Sequence, residues 1–272
     1  MSSLCAYFGI SRQGYYKNEK SVSQNMFKES LIVDMVLEIR RTMPRLGGKK
    51  LYHLLRDDLH RMGNIGRDKF FFMLRKNNLL VETKRSYTKT TNSFHRFYMW
   101  KNLIKEMKVT RINQVWVSDI TYIRTLNGFV YLFLITDLYS RKIVGWSLSR
   151  SLAIEGATEA LKMALRCRKD KMLPLIHHSD RGIQYCSHAY VGLLQKAGIG
   201  ISMTEENHCY ENSTAERVNG ILKDEFYLDN TFHNFDQAYQ AIRSGVNIYN
   251  EKRPHWALKL LTPEQVHSGK AA

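Results

Sequence analysis

No C-x-x-C pair occurs among the four cysteines, Cys5, Cys167, Cys186 and Cys209. Their wide spacing argues against both a disulfide framework and a structural zinc site, and they read as reduced thiols. No apolar run approaches the ~20 residues of a spanning helix, so no membrane partner is expected. The first residues also lack the basic-then-apolar pattern of a signal peptide, which sets the expectation of a cytoplasmic protein. There is no internal repeat. Acidic side chains are the scarce charge: 25 Asp and Glu stand against 41 Lys and Arg in 272 residues, a formal charge of +16. With 44% hydrophobic and 11% aromatic residues the chain can bury sizeable cores, which excludes wholesale disorder. An excess of this size calls for a polyanion, and nucleic acid fits better than a membrane surface.

The excess is unevenly placed. Residues 1–110 hold 22 basic and 9 acidic side chains, net +13, whereas residues 111–272 hold 19 and 16, net +3. The first part is helical in pattern and the second alternates strand-like and helix-like segments, so three regions are expected: 1–81 helical, 82–110 a basic linker, and 111–272 a separate core. The stretch from Glu82 to Thr91 is the least periodic, and its polar, Gly-free composition suits a phosphate backbone. Leu4 to Phe8, Gly9 and Ser11 as cap of a helix from Arg12 read as part of a helix-turn-helix. A longer helix is expected over 22–43, an amphipathic one with Leu51, Leu54, Leu55, Leu59 and Met62 on a single apolar face, and another from Arg67. Arg12, Arg67 and Lys69 are the phosphate-contact candidates here.

From residue 114 the pattern turns to strands, expected over 114–123, 129–136 and 142–148 as an antiparallel meander. A helix over 154–168, a strand over 173–177, a helix over 189–196 and a strand over 199–203 follow. Together they predict an α/β fold, a mixed sheet with helices on its faces. Asp119 lies inside the first strand, where an ionised carboxylate needs a cation, a donor cluster or a metal. Asp180 follows the fourth strand, at the strand end where open sheets place their sites. Glu216 belongs to a helix starting near Ser213. On a helical wheel Val218, Ile221, Leu222 and Phe226 share one side, and Glu216, Asn219, Gly220 and Lys223 the other. Asp137 reads as a turn former. Of His177 and His178, which point to opposite faces, one is expected to be a buried hydrogen-bonded residue and the other a substrate contact. Tyr249-Asn250 and Arg253-Pro254-His255 read as a loop after a helix, either a DNA or metal-edge contact or a structural turn fixed by Pro254.

Sixty residues separate Asp119 from Asp180 and 35 separate Asp180 from Glu216, which resembles the D-D-(35)-E signature of polynucleotidyl transferases with an RNase H-like fold. The words VWVSDITYI, GFVYLFLITDLYSRKIVGW, HHSDRGIQY, AERVNGILKDEF and YNEKRPHWALKLLTPEQV make the likeness closer. They are similar to those of the OrfB transposases of the insertion sequence 3 family, relatives of retroviral integrases, and the similarity extends over the whole chain. The resemblance implies an RNase H-like catalytic core preceded by an all-α, helix-turn-helix-like region, and a DNA transposase cutting and joining element ends. It implies that Asp119, Asp180 and Glu216 bind two Mg²⁺ or Mn²⁺ ions, and that Lys223 contacts DNA. Asn212 and Arg217, on either side of Glu216, are taken as further DNA contacts. The implied partners are terminal-repeat and target DNA, an OrfA product or its frameshift fusion, and further copies of the chain on DNA at a bacterial nucleoid. One departure is ENSTAE where many members have DNAxxE, so that Glu211 stands in place of an Asp. The same words also allow a DNA-binding regulator with an inert core, which the intact triad opposes, or a ribonuclease for RNA–DNA hybrids.

Overall fold

The computed structural model describes residues 2–82, 98–168, 170–205 and 212–269. They fall into two compact units, Met1–Thr83 and Lys84–Ala272. Glu82 apart, the expected non-periodic stretch to Thr91 lies outside the described residues, as do Cys209 and Glu211. Cys5, Cys167 and Cys186 are free thiols. No helix among the described residues is long and apolar enough to cross a membrane.

The first unit is helical: α1 (Ser2–Tyr7), α2 (Arg12–Thr42), α3 (Gly48–Leu54), α4 (Arg56–Arg61) and α5 (Arg67–Lys76). The expected cap is present, with Ser11 Oγ accepting the Gly14 N–H at 2.9 Å. The two helices expected after it are one. From Arg12 to Thr42 nothing interrupts the backbone, because Gly14 falls in the first turn and the first proline is Pro44. The amphipathic helix expected through Met62 instead breaks at Leu55; Leu51, Leu55 and Leu59 still point inward, whereas Leu54, expected on the same face, is exposed. With Ile32, Val36, Leu46, Phe70 and Leu74 they supply buried apolar side chains.

The second unit is built on a five-stranded mixed sheet in the order β3-β2-β1-β4-β5. Its strands are β1 (Val115–Thr125), β2 (Gly128–Asp137), β3 (Ile143–Ser149), β4 (Leu175–Ser179) and β5 (Ile199–Met203). β1 to β3 form the expected meander, while β4 and β5 pair in parallel beyond β1. Helices α6 (Ile154–Cys167), α7 (Ile183–Cys186) and α8 (His188–Lys196) lie on one side, and α9 (Ser213–Glu225) and α10 (Phe235–Glu251) on the other; a short α11 (Pro263–His267) follows. Alternation along β2 feeds both layers. Phe133 and Ile135 join Trp116, Ala160, Leu161 and Tyr190, whereas Leu132 and Leu134 join Ile123, Val218, Leu222 and Ile242. A strand covered on both faces reads as a continuous apolar run, which is why FVYLFLIT stands out in the sequence.

The two faces are packed differently. A methyl group on Gly145 of β3 would overlap the Ala160 carbonyl of α6, and one on Gly156 would enter the Phe133 ring. Those glycines let helix and sheet approach closely. Across the sheet, polar side chains fasten helices to strand backbone. Asn250 of α10 accepts the Ile143 N–H at 2.9 Å and donates to its carbonyl at 3.0 Å. Asn212 donates to the Ser118 carbonyl at 3.0 Å. Residues 98–110, expected within the linker, lie against this unit: Trp100 and Ile104 pack on its apolar clusters, and the Leu103 N–H donates to Ser202 Oγ at 2.8 Å.

Candidate active site

Parallel pairing of β1 with β4 puts Ser118 opposite Ser179. The next residue of each chain is an aspartate, so Asp119 and Asp180 come side by side although 60 residues separate them. β4 begins two residues later than expected and runs to Ser179, which is what sets Asp180 at its carboxyl end. Asp180 turns back on its own loop, its Oδ1 accepting the Gly182 N–H at 3.0 Å. Asp119 Oδ1 accepts the Ile120 N–H at 2.9 Å, and its Oδ2 accepts from Asn219 Nδ2 at 2.8 Å.

Helix α9 forms because Ala215 to Leu222 supply an apolar stripe, with Val218, Ile221 and Leu222 buried against the sheet. Glu216 and Arg217 are exposed beside it, and Lys223 is half-buried. Asn219 is one turn beyond Glu216 and buried, with its Oδ1 unpartnered. Wheel geometry puts it on the polar side; its role against Asp119 is legible only from the fold. Asn212, a DNA-contact candidate, is buried with its amide donating to the strand. Arg12, Arg67 and Lys69 are exposed in the first unit, and Arg67 lies beside Asp68.

The electrostatics follow from that placement. Burial, then the neighbouring charge of Asp180, push the Asp119 carboxyl up to about 7; Asn219 and the Ile120 N–H oppose this, and Glu216 adds to it. Burial lowers the Lys223 ammonium and Arg124 adds to the effect, while Asp119 and Asp229 work against it. Next to the pair, Tyr185 packs on Gly182 with a buried hydroxyl that has no hydrogen-bond partner. Burial, Tyr190 and the charges of Asp180 and Asp119 hold that hydroxyl far above its ordinary range.

Both histidines are interior. His177 Nε2 faces Ser118 Oγ at 2.6 Å and the Tyr190 hydroxyl at 2.9 Å, and burial drives its imidazole down to about 3. His178 is wholly buried, its Nδ1 2.8 Å from Ser202 Oγ. A substrate contact from either does not fit, because β4 is covered on both faces. Asp137 is the expected turn former and more: wholly buried, it accepts the Asn113 N–H, the Ser140 N–H and the Ser140 hydroxyl within 2.7 Å. Tyr249 and Asn250, expected in a loop, are buried residues of α10, which runs on to Glu251, and beyond it Arg253 forms a two-point pair with Glu225 at 2.6 and 2.8 Å.

A hard divalent cation suits this donor set, since carboxylate oxygens that mutually disfavour ionisation are relieved by a positive charge between them. Among the described residues no group of three or more His, Cys, Asp or Glu side chains is gathered at metal-holding distance.

The integrase core domain family matches residues 109–209, and a second integrase core domain model matches 197–263. An uncharacterized 31 kDa protein of insertion element IS600 from Shigella sonnei is 34% identical over 265 residues, covering 96% of each chain. Transposase InsF for insertion sequence IS3A of Escherichia coli (strain K12) is 28% identical over 272 residues, covering 97% of this chain and 93% of that protein. A chain in the cryoEM structure of the simian T-cell lymphotropic virus intasome with PP2A regulatory subunit B56 gamma has the same fold. The TM-score is 0.51 at 18% identity, over 81% of this chain and 74% of that one. With two core models running together through residues 109–263 and a relative 34% identical along nearly the whole length, the chain belongs to the insertion sequence 3 transposase family, built on an integrase core domain.

Proposed function

We propose that the chain is a DNA transposase that cleaves insertion-sequence ends and transfers the strands to target DNA, with Asp119, Asp180 and Glu216 as its catalytic carboxylates. The observation that carries this reading is the half-buried, proton-holding Asp119, set by strand register beside Asp180 and hydrogen-bonded to the helix that carries Glu216. These three residues would hold two Mg²⁺ or Mn²⁺ ions. When bound, the ions would supply charge stabilisation for an in-line displacement at phosphorus and lower the pKa of the attacking oxygen.

The chain's own groups do the rest. Asn219 orients Asp119, and the Gly182 N–H orients Asp180. Lys223 and Arg217 receive the phosphate backbone beside Glu216, and Asn212 secures the start of the helix that carries it. Arg12, Arg67 and Lys69 hold DNA through the helical region, 1–81, with 82–110 connecting it to the core of 111–272. The reaction takes place on terminal-repeat and target DNA in the bacterial cytoplasm, by several copies of the chain, with an OrfA product as partner or fusion.

A joining assay with Mg²⁺ tests the reading. Purified protein, with its OrfA partner, is expected to nick and join DNA bearing the element ends, and Asp180→Asn to abolish both. No nicking or joining, or an unaffected Asp180→Asn, refutes the enzyme. Preferential cleavage of RNA–DNA hybrids would refute the transposase.

A further inference from the structure

A cavity of about 400 Å³ opens at the carboxyl ends of β4 and β5, lined by Met99, Trp100, Lys101, Arg181 and Glu205. It adjoins the candidate site directly, since Arg181 follows Asp180 in the chain. Its walls are tied to the sheet. The Thr204 N–H donates to the Ser179 carbonyl at 3.1 Å, and the Met203 N–H to the Lys101 carbonyl at 3.4 Å. Glu205 Oε1 accepts the Asn102 N–H at 2.9 Å, which holds that carboxylate at the rim. Trp100 packs one side on the core and is only partly buried, so the rest of the indole lines the cavity.

The chemistry is that of a nucleotide. An indole beside Met99 offers a surface on which any base can stack. Arg181 and Lys101 bring a guanidinium and an ammonium to the lining, groups whose donors suit the oxygens of a phosphodiester. A base within a duplex has both faces covered, so only an unpaired or flipped-out base can reach the indole. Resting on the nucleic-acid reading of the adjacent carboxylates, we propose that this cavity takes one unpaired nucleotide of the DNA substrate next to the phosphate being cut or joined. Trp100 stacks the base, and Lys101 and Arg181 hold its phosphate. That nucleotide's position sets which phosphate reaches Asp119 and Asp180.

The test uses full-length protein without divalent ions, so that binding is read apart from cleavage. The probes are a duplex ending in one unpaired 2-aminopurine nucleotide and the same duplex fully paired. Wild type is expected to quench the unpaired 2-aminopurine and to bind that duplex about tenfold more tightly than the paired one. Trp100→Ala and Lys101→Gln are expected to lose the preference, weakening the unpaired probe about fivefold or more beyond any change in the paired one, and Trp100→Phe to keep it. Lys101 is exposed, so its substitution reads the cavity even if Trp100→Ala fails to fold. Equal wild-type affinity for the two probes, or equal weakening of both by Lys101→Gln, overturns the proposal. If the preference holds while Mg²⁺-dependent joining is absent, the catalytic reading fails and the nucleotide site stands. Joining without the preference leaves the catalytic carboxylates standing and removes the nucleotide site.

Discussion

Asn219 Nδ2 donates to Asp119 Oδ2 at 2.8 Å, joining the helix that carries Glu216 to the strand that carries the first aspartate. Groups that orient a ligating carboxylate typically change metal affinity or activity by ~10–100-fold when removed. Asn219→Ala is therefore expected to raise the Mg²⁺ concentration for half-maximal joining by about tenfold or more, with partial recovery at high Mg²⁺ and an unchanged circular dichroism spectrum. A Mg²⁺ titration checks this, and an unmoved midpoint would refute it.

Asp119 holds its proton up to about pH 7 in the fold, whereas an unfolded aspartate loses it near 4. Between those values the native state binds more protons than the unfolded one, so the metal-free protein loses stability as pH rises from about 4 to 7. Asp119→Asn removes that slope. At pH 8 without metal the variant is expected to be more stable by on the order of 1–2 kcal/mol, with no difference near pH 3.5. Mg²⁺ should stabilise wild type and leave the variant unmoved. Denaturant titrations at the two pH values, with and without Mg²⁺, decide it.

His177 has the opposite sign. Its imidazole stays neutral down to about pH 3, while an unfolded histidine takes a proton near 6.5. Stability from this group is complete above about 6.5 and is lost as pH falls toward 3, with a slope of up to ~1.4 kcal/mol per pH unit. His177→Gln is expected to flatten the acid limb of the stability profile. A profile between pH 3 and 7 with the same slope as wild type would count against a neutral buried imidazole.

Asn250 satisfies both backbone groups of Ile143. Asn250→Ala leaves buried polar groups short of partners, at a cost of about 2–3 kcal/mol, or roughly 5–10 °C in Tm. Calorimetry on the full chain measures it, and a change below about 1 °C would mean that water replaces the amide.

Arg12, Arg67 and Lys69 are exposed in a region of net charge +13. Each phosphate contact contributes about 0.9 to the slope of log K against log salt. Replacing all three by alanine is expected to lower that slope by about 2–3 without changing sequence preference, as read by fluorescence anisotropy between 50 and 300 mM salt. A flat salt response of the wild-type chain would contradict DNA holding altogether.

Much of the second unit is legible in the sequence because its strands declare themselves chemically. A run such as FVYLFLIT can only be covered on both faces, and the stripe Val218, Ile221, Leu222 needs a sheet to lie against. Asp119 and Asp180 stand out as carboxylates beside apolar strands, but their adjacency depends on parallel register, which leaves no local mark in sequence. Asn219 belongs to a polar stripe on the wheel and is buried in the fold, since a wheel cannot say that an aspartate waits across the gap. The second histidine departs from expectation for the same reason: whether a strand is covered on one face or two is a property of its neighbours. In the first unit, continuity of α2 through residue 22 is hard to see because hydrophobic periodicity fades there while nothing in the backbone stops the helix.

The glycine contacts on one side of the sheet and the asparagine ties on the other have a mechanical consequence. Where Gly145 and Gly156 admit α6, helix and strand touch backbone to backbone or ring, and neither can yield without opening the core. Helix α9 is fastened at its start by Asn212 and midway by Asn219, through hydrogen bonds that add to the burial of Val218, Ile221 and Leu222. Asp119 and Asp180 are set by the sheet, and Glu216 by the helix that these asparagines tie to it. If the three carboxylates share a cation, as proposed, those two asparagine hydrogen bonds are what ties the helix bearing the third carboxylate to the sheet bearing the first two.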